Sequence, residues 1–145
     1  MSPKWIERFL SMAELVASWS KDPSTKVGAV IVDDKQRVVS VGFNGFPRGV
    51  QDRVDVSRDT KLARTIHAEP NAILFANRSL AGCTLLVTRP PCSNCAALII
   101  QSGITRVAYN RPDDAFMERW GASVAESTQM FKEAGVELVM TSTPA

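Results

Sequence analysis

Three short β-rich runs, Thr84–Thr88, Thr105–Tyr109 and Val136–Met140, are each divided from the next by a stretch with helical spacing. No other feature restricts the fold as much. A helix placed between two strands of one sheet returns the chain to the same end, so the strands it joins are parallel and the crossover right-handed. The first such helix is Cys92–Gln101, set off by Pro90-Pro91 and stopped by Gly103. The second carries Met117, Trp120, Val124, Ser127 and Phe131 along one side and ends near Gly135.

Upstream, Val27–Val32 and Val38–Phe43 flank the polar Asp33-Asp34-Lys35-Gln36, a hairpin signal that makes these two strands antiparallel. Trp5, Phe9, Met12, Val16 and Trp19 recur at steps of a helix face, and Lys21-Asp22-Pro23 ends that helix. A further helix is predicted over about Ile66–Asn77. Between hairpin and helix, Gly45 to about Arg64 is polar and irregular, long enough to be a functional loop. The sum is α/β: a mixed sheet of about five strands with helices on both faces, a three-layer α/β/α sandwich whose last two strands are parallel. Without repeats, low-complexity tracts or linkers, residues 1–145 read as one domain.

Composition narrows the partners. With 45% apolar and 22% charged residues, the chain has the balance of a globular protein. Its longest apolar runs, such as Val27–Val32 and Ala96–Ile100, fall far short of the roughly 20 residues a membrane span needs. The N-terminal Met1–Arg8 interleaves charged and apolar residues with no signal-peptide core, so a cytoplasmic protein is expected. A net charge of +2, with basic residues scattered, argues against a long nucleic-acid backbone as partner. It does not exclude a small anionic ligand, which needs only a few well-placed donors. Three cysteines with no export signal suit metal binding or burial better than a disulfide framework.

Two short segments carry chemistry: His67-Ala68-Glu69 and Pro91-Cys92-Ser93-Asn94-Cys95. Each is predicted to open a helix. Cys92 and Cys95 then share one side of a first helical turn, where free N–H groups and the helix dipole favour the thiolate form a metal requires. With His67, the only histidine, they offer one nitrogen and two sulfurs, a good donor set for Zn²⁺. The remaining cysteine, Cys83, precedes a predicted buried strand and has no partner at ligand spacing. Three protein ligands plus water describe a catalytic zinc rather than a closed structural one. Two thiolates offset much of the metal's charge, so the water needs a nearby base. Glu69, a poor partner for a sulfur-rich site, is free to carry protons. His-x-Glu followed by Pro-Cys-x-x-Cys is the pattern of zinc deaminases.

Further stretches extend the pattern: Ser20-Lys21-Asp22-Pro23-Ser24-Thr25-Lys26-Val27-Gly28-Ala29, Gly42-Phe43-Asn44-Gly45-Phe46-Pro47, His67–Ile73, Pro91–Ala96 and Gln101–Ile104. Through them the chain resembles the deoxycytidylate (dCMP) deaminases of the cytidine deaminase-like superfamily, from about Trp19 to Val139. The resemblance implies hydrolytic deamination of dCMP to dUMP, releasing ammonia and feeding thymidylate synthesis. His67, Cys92 and Cys95 match the zinc ligands and Glu69 the proton shuttle. Asn44 matches an asparagine that contacts the sugar, and Ala68 stands with the substrate-binding positions. Ser24, Thr25 and Lys26 lie where a phosphate-contacting loop is expected. Relatives are often homohexamers, activated by dCTP and inhibited by dTTP, with the Gly42–Pro47 region near the effector site. Gly45, Pro47, Arg48 and Arg78 are the corresponding effector-binding candidates. Some relatives hold a second, structural zinc, but with only Cys83 spare this chain is expected to bind one ion. Pro70 departs from the family pattern, and Asp52–Arg64 matches nothing in it.

Blander readings stand beside these. His67 could be a hydrogen-bonded core residue, Cys92 and Cys95 a redox pair, and Glu69 a helix N-terminal carboxylate. Asn44-Gly45 could be a turn, and Lys26 and Arg48 solvated surface. Trp5, Phe9 and Trp19 are expected in the core or a subunit interface. The competing functions are deamination of another cytosine substrate (cytidine, CMP or dCTP) or of a tRNA adenosine, and a zinc-stabilised binding module without catalysis.

Overall fold

The computed structural model describes residues 1–52 and 55–144; Arg53 and Val54, inside the polar Gly45–Arg64 stretch, and Ala145 lie outside the described residues. In chain order the elements are α1 (Pro3–Ala17), β1 (Gly28–Val32), β2 (Val38–Phe43), α2 (Arg58–Arg64), α3 (Ala68–Ala76), β3 (Thr84–Val87), α4 (Ser93–Gln101), β4 (Arg106–Arg111), α5 (Asp114–Ala134) and β5 (Glu137–Pro144). The strands form one sheet in the order β2-β1-β3-β4-β5. β1 pairs antiparallel with both β2 and β3, while β3–β4 and β4–β5 are parallel, as the helical crossovers require. Among the described residues no helix is long and apolar enough to cross a membrane.

Alternate strand residues feed two cores, because side chains on a strand point to opposite faces in turn. Ala29, Ile31, Leu85, Val87 and Val107 pack with Ala68 and Ala72 of α3, Ala96 and Ile99 of α4, and Phe131 of α5. Val30, Val32, Leu86 and Ala108 pack on the other face against Ile6, Phe9, Leu10 and Ala13 of α1. Cys83 is buried in the first of these cores. The result is the expected three-layer sandwich, with α1 on one face and α3, α4 and α5 on the other.

Two elements depart from the sequence reading. The buried face of α1 is Ile6, Phe9, Leu10, Ala13, Val16 and Ala17; Trp5 stays 36% exposed and Trp19 52%. The reason is close approach: a Cβ on Gly28 of β1 would collide with the backbone of Ala13 and Ala17, so α1 turns its small residues, not its indoles, to the sheet. The second departure is α2, a helix inside the stretch expected to be irregular.

α3, which follows the His67 segment, is fastened to β2. A Cβ at Gly42 would stand 2.5 Å from the Ala68 carbonyl oxygen and nearer still to the Ala72 nitrogen, so only glycine lets the helix lie this close. Ser40 Oγ donates to the Ala72 carbonyl at 2.7 Å, and Asn71 Nδ2 to the Phe43 carbonyl at 2.8 Å. Pro70 sits in the first turn of α3, where a missing N–H costs nothing.

Candidate metal centre and substrate cavity

The ends of β2 and β3 and the start of β1 meet at one rim of the sheet, where Thr88 N–H reaches the Gly28 carbonyl at 3.1 Å. This is the carboxyl end of the parallel strands, where open α/β sheets bind ligands. His67 caps the N-terminus of α3 without using its side chain, and Cys92 does the same for α4. Cys95, in the first turn of α4, is buried. His67 Nδ1 lies 3.2 Å from Cys95 Sγ and 3.6 Å from Cys92 Sγ, and all three atoms fall within 4.8 Å of one another. Zinc bonds of about 2.1 Å to nitrogen and 2.3 Å to sulfur, held at tetrahedral angles, place the two donors roughly 3.6 Å apart. The triad fits a zinc ion.

Its electrostatics point the same way. The Cys92 thiol is pushed down to about 4, first by the hydrogen bond from Cys95 and then, against the cost of burial, by that from His67. Cys95 is held well above its usual value because its own proton is donated to the Cys92 thiolate, and because it is buried. The pair therefore holds one ready thiolate, and a metal ion displaces the second proton. His67 is raised, chiefly by its hydrogen bond to Cys92.

Glu69 is 4% exposed, and burial raises its carboxyl to about 7, opposed by its own backbone hydrogen bond and by His67. A carboxyl that titrates near neutrality can both take and release a proton at working pH. His67, Glu69 and Cys92 open on a cavity of about 360 Å³. Its second wall is Asp22, Pro23, Ser24, Thr25 and Asn44; its third is Arg58, Lys61 and Leu62 of α2; its fourth is Arg89 with Phe116, Arg119 and Trp120 from the start of α5.

The structure therefore gathers Ser24, Thr25, Asn44, His67, Ala68, Glu69 and Cys92 around one space, with Cys95 behind them. Lys26, Gly45, Pro47, Arg48 and Arg78 are not among the lining residues. Asn44-Gly45 is no tight turn: Asn44 Oδ1 accepts from Val27 N–H and its Nδ2 donates to the Thr25 carbonyl, both at 2.9 Å. Gly45 exchanges two backbone hydrogen bonds with Ile66, tying the strand end to the residue before His67. Arg48 lies over the Phe75 ring, and Arg78 Nε donates to the Ser79 carbonyl.

The α2 residues and four from the rim, Arg89, Phe116, Arg119 and Trp120, escaped the sequence reading as parts of the cavity. α2 has no buried residue and hence no apolar periodicity. It does carry terminal signals: Ser57 accepts from Thr60 N–H, Asp59 opens the helix and Arg64 closes it. Trp120, expected on the buried side of α5, is half-buried at the cavity, and the buried residues of that helix are Val124, Ser127 and Phe131. Nothing in local sequence marks Arg89, Phe116 or Arg119, which the crossovers bring to the rim.

Residues 3–111 match the family described as the cytidine and deoxycytidylate deaminase zinc-binding region. The chain belongs to that family. Among the relatives of this deaminase, an uncharacterized deaminase from the luxG 3′ region of Aliivibrio fischeri is 55% identical over 139 residues, covering 95% of this chain and 94% of its own. Human deoxycytidylate deaminase is 41% identical over 114 residues, covering 73% of this chain and 64% of its own. The crystal structure of dCMP deaminase from the cyanophage S-TIM5 in complex with dCMP and dUMP superposes with a TM-score of 0.79 at 26% identity, over 97% of this chain and 99% of that one.

Proposed function

We propose that the protein is a dCMP deaminase, with one zinc ion held by His67 Nδ1, Cys92 Sγ and Cys95 Sγ and with Glu69 as its proton carrier. The observation that carries this reading is a zinc-sized nitrogen–sulfur triad opening, beside a buried carboxyl of pKa about 7, on a nucleotide-sized cavity. Zinc in that position supplies the Lewis acidity that lets a water lose its proton near neutral pH. Glu69 takes one proton from the attacking water and delivers it to ring N3, then takes the proton left on the C4 hydroxyl and delivers it to the departing amine. A C4–O bond forms, the C4–N4 bond breaks, and cytosine plus water becomes uracil plus ammonia. Asn44, which the resemblance places at the sugar, lines the cavity, and its carboxamide also holds the Thr25–Val27 backbone in place as a wall.

An anionic substrate suits the lining, where Arg58, Lys61, Arg89 and Arg119 face only Asp22 and Glu69. The product, dUMP, would supply thymidylate synthesis. Initial rates of ammonia release from dCMP, deoxycytidine, cytidine, CMP, dCTP and a tRNA stem-loop, alongside the zinc content of the same sample, test the assignment. Faster turnover of any substrate but dCMP overturns it.

The same reading extends to assembly and control. Leu74 and Phe75 on α3 and Leu98 on α4 are 69%, 59% and 50% exposed, apolar surface of the kind that subunit contacts cover. Light scattering should find a homo-oligomer, the hexamer being the form the resemblance implies. If dCTP and dTTP act through Gly45, Pro47, Arg48 or Arg78, they act from outside the cavity. Cys83 is enclosed in the core, which favours a single ion per chain.

A further inference from the structure

Resting on the nucleotide reading above, we infer that Arg89 and Arg119, rather than the Ser24-Thr25-Lys26 loop, read the substrate's phosphate. The loop has already committed its backbone donors. Asp22 Oδ1 accepts from the Ser24 N–H at 2.8 Å, the Thr25 N–H at 3.1 Å and Lys61 Nζ at 2.9 Å. Lys61 Nζ also reaches Ser24 Oγ at 3.1 Å, and Lys26 does not line the cavity. A dianion arriving here would find both amides already donated to a buried carboxylate, whose charge repels it. The Asp22 side chain is 9% exposed, so solvent does little to screen that charge.

The opposite wall offers the reverse. Arg89 stands three positions before Cys92, where β3 leads into α4, and its guanidinium lies 5.2 Å from the Phe116 ring centroid. Arg119, one residue before Trp120, lies 5.7 Å from that ring centroid. Phe116 and Trp120 are one helical turn apart on α5, with centroids separated by 6.5 Å. Both guanidinium groups therefore rest against adjoining rings and not against carboxylates. Among the described residues no ion pair engages either of them. A ring holds a guanidinium in place without neutralising it, and leaves the N–H edge free for the two-point hydrogen bonding that phosphate favours. The two rings also give the sugar an apolar surface beside the phosphate.

The test is the ratio of kcat/KM for dCMP to kcat/KM for deoxycytidine in wild type, Arg89→Gln, Arg119→Gln and the double variant, each with zinc content measured. Loss of one charge-assisted phosphate contact should lower that ratio roughly tenfold, and loss of both on the order of a hundredfold. Arg89→Lys should recover part of it, since the charge returns without the fork. Inorganic phosphate should compete with dCMP in the wild type and weaken as a competitor in both single variants, a measurement that stands even if the double variant does not fold. A wild-type ratio kept in both single variants overturns the assignment, as does a ratio that collapses in Lys26→Ala instead. A wild type that turns over dCMP no better than deoxycytidine overturns the nucleotide reading itself, and this inference with it.

Discussion

Glu69 and the two cysteines differ in what they answer to. The raised carboxyl of Glu69 is set by burial, which no single neighbour controls, whereas the lowered thiol of Cys92 is set by Cys95 and His67. Glu69→Gln keeps the volume and removes the proton carrier, so kcat for ammonia release should drop by about 10²–10⁴-fold with zinc content unchanged. A variant with wild-type turnover would remove Glu69 from the mechanism. Cys92→Ser replaces a soft donor that caps α4 with a hard one that caps a helix equally well, so the helix should persist while the metal is lost. Zinc analysis beside far-UV circular dichroism would show whether the two separate.

Secondary-structure elements are joined here by contacts small enough to count. Gly42→Ala should cost about 1–3 kcal/mol or more, because the added methyl meets the α3 backbone and not a side chain that can turn away. That push falls on the helix His67 caps, so a chelator-competition assay should register weaker zinc binding as well as a lower denaturation midpoint. Lys61 joins α2 to the Asp22 loop. Burial raises the Asp22 carboxyl, but the hydrogen bonds from Lys61 and from the Thr25 and Ser24 amides outweigh it and hold the group below its usual value. Because the folded pKa is the lower one, this stabilisation is complete above the unfolded value, near 3.8, and fades as pH falls through the folded value. Lys61→Met should therefore cost about 1–3 kcal/mol at pH 7, between the exposed and buried limits for an ion pair. The gap to wild type should close in strong acid; a gap independent of pH would assign the loss to packing instead. Elements that bury apolar residues are legible in the amino-acid sequence: the hairpin around Asp33, the parallel strands, the long helix ending at Gly135. α2 is not, since it buries none of its residues and is held by polar contacts to Asp22 and Ser24 that local pattern does not encode. The inner face of α1 is hidden for another reason: bulk suggests that the indoles point inward, whereas the glycine on the strand opposite demands the smallest residues there.

Across the whole molecule, neither apolar core includes any of the three candidate metal ligands. Chelation should abolish activity while the fold survives, with a Tm lowered because an ion that binds only the folded chain no longer stabilises it. Unfolding on chelation would mean that the triad carries the structure. The motif residues are legible because zinc chemistry limits both their types and their order. The rest of the rim is not, because Arg89, Arg119 and Trp120 reach it only once the crossovers have been made. The way α3 is seated has a consequence of its own. The proposed reaction groups His67 and Glu69 stand at the start of a helix anchored to the sheet through Gly42 and the buried Ser40 hydroxyl. Much of the remaining cavity wall belongs to a short outlying helix and to the tip of a long one. New substrate preferences could thus be bred by exchanging those two outer pieces while the inherited hydrolytic machinery stays untouched.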